Sequence, residues 1–239
     1  MIIVVCGPTG VGKTKLSETL REKFDGIIVN ADSRQIYKKL NIGTAKPSEN
    51  ELTDKHYLFD ILEPNEEYNA FNYQTDVRKI IKENKEKNII IVGGTGLYIK
   101  TALYDYDFKS DNKDKLLYDA IFIGLRTDRE TLYEIINNRV DEMINDGLVE
   151  EAKNLYEEYG DIKVLNNTIG YQELLDYFKG NISLDEAVNL IKKNSRHYAK
   201  RQFTWFNNQM DIKWFDVDYE NFDKTIENVL KCIGRAIDI

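Results

Sequence analysis

Residues 2–14 read Ile2-Ile3-Val4-Val5-Cys6-Gly7-Pro8-Thr9-Gly10-Val11-Gly12-Lys13-Thr14, an apolar run that passes directly into a G-x-x-x-x-G-K-T phosphate loop. The branched run Ile2 to Val5 has the length of a buried strand, and an amphipathic pattern from about Lys13 to Phe24 predicts the helix that has to follow. Strand, loop and helix in that order make a cradle for a polyphosphate. The glycines let successive N–H groups turn inward, the helix directs its positive end at the same point, and the Lys13 ammonium adds a full charge. Gly7, Pro8, Thr9, Gly10, Val11, Gly12, Lys13 and Thr14 are therefore the expected polyphosphate-binding residues, with the Thr14 hydroxyl offered to Mg2+. A Gly-rich turn carrying a chance lysine would not come with both flanking elements in register.

Outward from this loop, strand-like runs recur at Ile27 to Val29, Ile89 to Val92 and Ala120 to Leu125, with a fifth at Ile212 to Val217, separated by helix-like stretches. That alternation predicts a P-loop NTPase-like α/β fold, a parallel sheet flanked by helices, with a helical C-terminal portion. Asp128 caps a predicted helix carrying Leu132, Ile135, Ile136, Val140, Met143 and Ile144 and ended by Gly147. Further helices are predicted over Leu148 to Tyr159, Gln172 to Phe178, Leu184 to Arg201 and Asn221 to Ile237. Residues 104–118 are too polar for a core element and read as a short surface linker within one domain spanning 1–239.

At 239 residues and 42% apolar content the chain can bury a substantial core. No apolar run approaches the ~18 residues that cross a bilayer, so a cytoplasmic, membrane-free monomer is expected. Cys6 and Cys232 lie far apart without metal-ligand spacing and read as reduced packing residues. The net charge of −8 argues against indiscriminate coating of nucleic acid. Its distribution is uneven, because Ala187 to Met210 contains no Asp or Glu while holding Lys192, Lys193, Arg196, Lys200 and Arg201.

A phosphate loop alone leaves kinases, hydrolases and other phosphate-handling enzymes open, so the other strand ends decide. The run ending at Val92 passes into Gly93-Gly94-Thr95-Gly96-Leu97-Tyr98, where a hydrolase commonly presents a metal-binding Asp; close backbone approach replaces carboxylate chemistry there. The run before it ends in Asn30-Ala31-Asp32-Ser33-Arg34-Gln35, at the carboxyl edge where parallel sheets hold ligands. Asp32 reads either as the best-placed acid of the chain or as the N-cap of a helix starting near Arg34.

Together, Asp32-Ser33-Arg34-Gln35-Ile36-Tyr37, Gly43-Thr44-Ala45-Lys46-Pro47 and Gly93-Gly94-Thr95-Gly96-Leu97-Tyr98 resemble the tRNA dimethylallyltransferase (tRNA isopentenyltransferase) family. The resemblance continues through His56-Tyr57-Leu58-Phe59-Asp60, Arg139-Val140-Asp141, Ile169-Gly170-Tyr171-Gln172-Glu173 and Ala199-Lys200-Arg201-Gln202-Phe203-Thr204-Trp205-Phe206. It implies transfer of a five-carbon group from dimethylallyl diphosphate to N6 of an adenosine beside the anticodon of tRNA, with the phosphate loop gripping a leaving group. Lys13 would then stabilise charge on the departing diphosphate with Mg2+ at Thr14, Asp32 would be the general base, and Thr95 would contact the target adenosine. Ser33, Arg34 and Gln35 are carried over as RNA contacts, although Ser33 and Gln35 suit a turn equally well. Arg139 becomes a diphosphate contact, where the residues alone suggest a solvated helix face paired with Glu142.

Lys192, Arg196 and Lys200 recur every four residues, as do Lys193, His197 and Arg201, forming a cationic stripe without counterions in sequence. With Gln202 they are the expected contacts for the anticodon arm, within a helical, tRNA-contacting portion at 128–206, whereas Trp205 and Phe206 read as core. His56 is expected to support the loop beside Asp60, and no zinc set is apparent.

The family usually carries a long helical insertion after the Gly-Gly-Thr-Gly-Leu-Tyr helix, and here only residues 104–118 stand in its place. That shortening keeps open a relative of the same chemistry acting on free AMP, ADP or ATP. A small-molecule kinase is a weaker alternative, since no Gly-flanked basic lid is evident. An inactive RNA-binding remnant is opposed by the intact Lys13, Thr14 and Asp32.

Overall fold

The four central strands are near-continuous runs of Ile, Val and Leu, and the first two are buried along their whole length, as a parallel sheet covered on both faces requires. The computed structural model describes residues 1–48, 50–108 and 115–237. In chain order the elements are β1 (Ile2–Cys6), α1 (Lys13–Lys23), β2 (Gly26–Asn30), β3 (His56–Tyr57), α2 (Ala70–Glu83), β4 (Asn88–Val92), α3 (Gly96–Leu103), β5 (Ala120–Arg126), α4 (Arg129–Asn145), α5 (Leu148–Tyr159), α6 (Lys163–Asn166), α7 (Tyr171–Phe178), α8 (Leu184–Gln209), β6 (Lys213–Asp216) and α9 (Phe222–Ile237). The strands β1 to β6 pair in parallel, in the order β3-β2-β4-β1-β5-β6. Because β2, β4 and β1 are neighbours, the loops at their carboxyl ends lie side by side.

Alternate residues of the strands feed two cores. Val4, Cys6, Val29 and Ile91 meet α2, α3 and Phe206 on one face, while Val5, Ile28, Ile90 and Ile123 meet α1 and α9 on the other. A third core lies off the sheet, where α4 to α8 enclose Ile36, Tyr37 and Leu40 from the segment after β2. The phosphate loop is braced from behind by α9, whose Phe222 ring leaves no room for a Cβ at Gly12; Gly12 also has φ +88°, so glycine is required twice over. Lys15 lies over the same ring at 4.9 Å.

Three features differ from the sequence reading. The edge strand β3 and the single turn α6 are too short to leave a periodic signal. The helix expected to stop at Arg201 runs on to Gln209, because Phe206 inserts into the sheet-face core and carries the helix with it. The polar linker at 104–118 returns on itself: Asp105 N–H donates to Lys115 O at 2.7 Å and Leu117 N–H to Leu103 O at 2.8 Å, with 109–114 outside the described residues. Among the described residues no helix is long and apolar enough to cross a membrane.

Candidate active site

The loop after β1 turns through Gly7, Gly10 and Gly12, all at positive φ, and opens α1 with Lys13 and Thr14 facing a cavity of about 740 Å³. Lys13 Nζ donates to Pro8 O at 2.7 Å, holding the ammonium across the loop. Burial lowers the Lys13 pKa to about 8; Asp32 pulls it back up, and Arg139 adds a second downward push. Arg139 reaches in from α4 and donates to Thr9 Oγ1 at 3.4 Å, so it belongs to the cavity and not to the solvated Glu142 face. Its own pKa is lowered by burial, with Asp32 opposing. Two cations thus stand at the anion cradle with one carboxylate across from them.

That carboxylate is fixed through its backbone. Buried Asn30, which sequence reasoning did not single out, accepts the Asp32 N–H at 2.9 Å and donates to Asp32 O at 3.1 Å and Leu58 O at 2.9 Å. Asp32 caps no helix, since residues 33–36 form turns; its Oδ1 accepts the Arg34 N–H at 2.9 Å, an Asx-type closure. Oδ2 has no hydrogen-bond partner among the described residues. Ser33 N–H donates to Thr95 Oγ1 at 3.0 Å, which joins the β2 and β4 loops and sets Thr95 beside Asp32. Tyr198 of α8 reaches the Thr95 and Gln202 side chains, and burial pushes its phenol up to about 12.

Several residues expected to contact RNA are engaged within the protein. Gln35 Nε2 donates to Thr44 O at 3.0 Å, supporting the 43–47 loop that walls the cavity. Arg34 Nη2 donates to Asn167 O at 2.9 Å and bridges two walls. Gln202 is buried: its Oε1 accepts the Thr9 N–H at 3.2 Å and its Nε2 donates to Gly94 O at 3.0 Å. A Cβ at Gly94 would lie 2.1 Å from that amide nitrogen, so the close backbone approach read from the glycine run admits α8. Gln202 is thus a crosslink between two site loops, and it also lines the cavity.

The outer wall is held by carboxylates that look like ordinary helix-surface charge in the sequence. Glu151 accepts the N–H groups of Asn41, Ile42 and Gly43 at 3.1, 2.9 and 3.1 Å and the Tyr171 hydroxyl at 2.6 Å. Glu173, buried, accepts the Gly170 N–H and the Asn194 amide at 2.7 Å each, fixing the 168–170 turn. Lys46 pairs with Asp60 and donates to Tyr37 O at 2.6 Å. His56 bonds Glu18 at 2.7 Å through Nε2, which ties β3 to α1, and its ring meets Phe59 edge-on at 6.1 Å beside Asp60, which Lys46 also holds. Ile28, Phe59, Val92, Ile136, Val140 and Met143 give the cavity an apolar side next to the cradle.

The cationic stripe is divided. Lys192 is 2.6 Å from Asp141 on α4, so it has a counterion invisible at the level of local sequence. Arg196 donates to Asn137 Oδ1 at 2.6 Å and covers the Tyr133 ring. Lys193, Lys200 and Arg201 are exposed, and of the five cations only Arg201 lines the cavity. Phe206 is core, and the Trp205 ring packs on Gly96. Cys6 is buried with its thiol pushed up to about 12.

A family model described as IPP transferase matches residues 35–117 and 107–209, as two segments that meet over the polar linker. A tRNA dimethylallyltransferase of Fusobacterium nucleatum is 40% identical over 277 residues, covering 90% of this chain and 91% of the relative. One from Anoxybacillus flavithermus is 38% identical over an aligned span of 298 residues, covering 97% of this chain and 96% of the relative. That span exceeds the 239 residues of this chain, so the relative carries residues with no counterpart here. The crystal structure of a tRNA isopentenylpyrophosphate transferase from Staphylococcus epidermidis superimposes with a TM-score of 0.91 at 32% identity, covering 98% of this chain and 99% of the other.

Proposed function

The chain belongs to the IPP transferase family, and from that premise we propose that it is a tRNA dimethylallyltransferase, a cytoplasmic monomer that moves a dimethylallyl group from dimethylallyl diphosphate to N6 of the adenosine next to the anticodon. The observation that carries this reading is the meeting, in one cavity, of a two-cation anion cradle, an apolar wall and a backbone-fixed carboxylate. The diphosphate lies in the loop Gly7 to Thr14, with Lys13 and Arg139 on its oxygens, and the five-carbon chain lies against the apolar wall. The allylic C1–O bond breaks with its electron pair leaving on the diphosphate, where the loop N–H groups and both cations receive the charge. The N6 lone pair forms the new bond to C1. The proton lost from N6 passes to Asp32 Oδ2, since Oδ1 is already committed to the Arg34 N–H.

The Thr14 hydroxyl is a hard oxygen at the cavity and suits Mg2+, an ion that takes most of its shell from water and substrate phosphates. Bound there, Mg2+ would offset charge on the leaving diphosphate. Thr95 orients the acceptor indirectly by holding the Ser33 N–H, and Lys193, Lys200 and Arg201 meet RNA phosphates.

The test incubates purified protein with labelled dimethylallyl diphosphate, Mg2+ and either unmodified tRNA or AMP. Label on the adenosine beside the anticodon is the expected result. Label on AMP alone would reassign the acceptor to free nucleotides.

A further inference from the structure

Among the described residues Phe71 and Phe108 are the most exposed phenylalanines, at 60% and 48%. They are not scattered. Their rings meet edge-on at 6.0 Å, Phe108 meets Tyr106 edge-on at 5.1 Å, and Lys100 Nζ stands 5.6 Å from the Tyr106 centroid. Isolated exposed apolar residues are ordinary, whereas three surface aromatics joined through Phe108 point to an interaction site.

The trio is continuous with the cavity. Lys100 lies on α3, which begins at the Thr95 turn, and it donates to Gln209 Oε1 at 3.0 Å, at the last residue of α8. From cavity-lining Arg201 to Gln209 is roughly 12 Å of helix, and no Asp or Glu occurs on it. The acid-free end of α8 and an aromatic cluster therefore form one strip that starts at the cavity. Asp105 precedes the aromatics on their own segment and would repel phosphates, leaving the ring faces for bases. The two segments of the family match meet over 107–117, the stretch that carries Phe108.

We propose that this strip seats single-stranded loop nucleotides of the RNA acceptor, with phosphates following α8 and one or two bases stacking on Phe71, Tyr106 and Phe108. Stacking needs only a π face, so the platform is tolerant of sequence. The proposal rests on RNA being the acceptor.

The experiment measures binding of unmodified tRNA, across a salt series, to the wild type, to Phe71→Ala/Phe108→Ala and to Phe71→Trp. Both side chains are outside the cores, and a thermal melt of the double variant checks that it stays folded. The double variant should bind tRNA roughly tenfold or more weakly, with an unchanged salt slope and unchanged prenyl diphosphate binding, while Phe71→Trp retains affinity. Equal affinity for tRNA in a wild type and a double variant that both modify it would overturn the platform alone. Failure of the wild type to modify any tRNA while labelling AMP would overturn the acceptor as well. Sedimentation of the wild type as a dimer, and of the double variant as a monomer, would reassign the patch to a second copy of the chain.

Discussion

Asp32 divides its carboxylate: Oδ1 closes a turn on the Arg34 N–H, and Oδ2 has no partner among the described residues. An amide can still accept that N–H, so Asp32→Asn should fold and bind prenyl diphosphate as the wild type does while turnover falls by ~10²-fold or more. Steady-state kinetics beside a diphosphate-binding titration checks this, and wild-type turnover would remove Asp32 as the base. Lys13 carries a pH prediction. Its pKa falls from 10.5 in an unfolded chain to about 8 in the folded cavity. The unfolded chain then holds more protons between those values, so the buried ammonium weakens the fold below pH 8 and that cost is relieved as pH rises through this window. A bound diphosphate favours the charged form again. Above pH 8 binding should therefore take up a proton, seen calorimetrically as a heat that depends on buffer ionisation enthalpy, and Lys13→Met should abolish the uptake.

At the scale of elements, the cradle, the adenosine side and the outer wall are separate loops held in register by single side chains. Gln202 joins two of them across more than a hundred residues of sequence. Gln202→Ala would leave the Thr9 N–H and Gly94 O without their partner, at about 1–3 kcal/mol each where water cannot replace it. Melting temperature should drop and the KM for prenyl diphosphate should rise, with kcat less affected. Glu151→Ala should act on the opposite wall, loosening 41–43 and raising the KM for tRNA while leaving diphosphate affinity intact. Equal effects on both substrates would mean that the anchor acts only through global stability.

These anchors mark the boundary of what the residues in order can reveal. The cradle, Asp32 and the Gly93 to Gly96 turn are legible because each stands at the end of an apolar run, and a parallel sheet presents those ends together. Gln202, Glu151 and Asn30 are not, because their partners are set by how elements pack, and a Gln or Glu on a helix gives the same local pattern whether it faces water or a loop amide. Arg139 shows both sides: its helix is predictable, and the face it presents becomes clear only with α4 docked against the loop. The stripe on α8 misleads for the same reason, since the Asp141 that neutralises Lys192 is on another helix.

Over the whole molecule, a chain of net charge −8 is best placed to approach a polyanion through its longest stretch without carboxylates, Ala187 to Met210. Exchanging Lys200 and Arg201 for Gln should weaken tRNA binding and reduce the salt slope by about 0.7 for each single-stranded phosphate that is no longer neutralised. Filter binding across an ionic-strength series measures it, and an unchanged slope would move the RNA track elsewhere. The Phe222 ring behind Gly12 has a temporal corollary. The anion cradle leaves the ribosome well before its rear support, which is translated more than two hundred residues later. A nascent chain can complete its central strands and still present a slack loop, so competence to grip a prenyl donor should arise late and abruptly, when α9 docks.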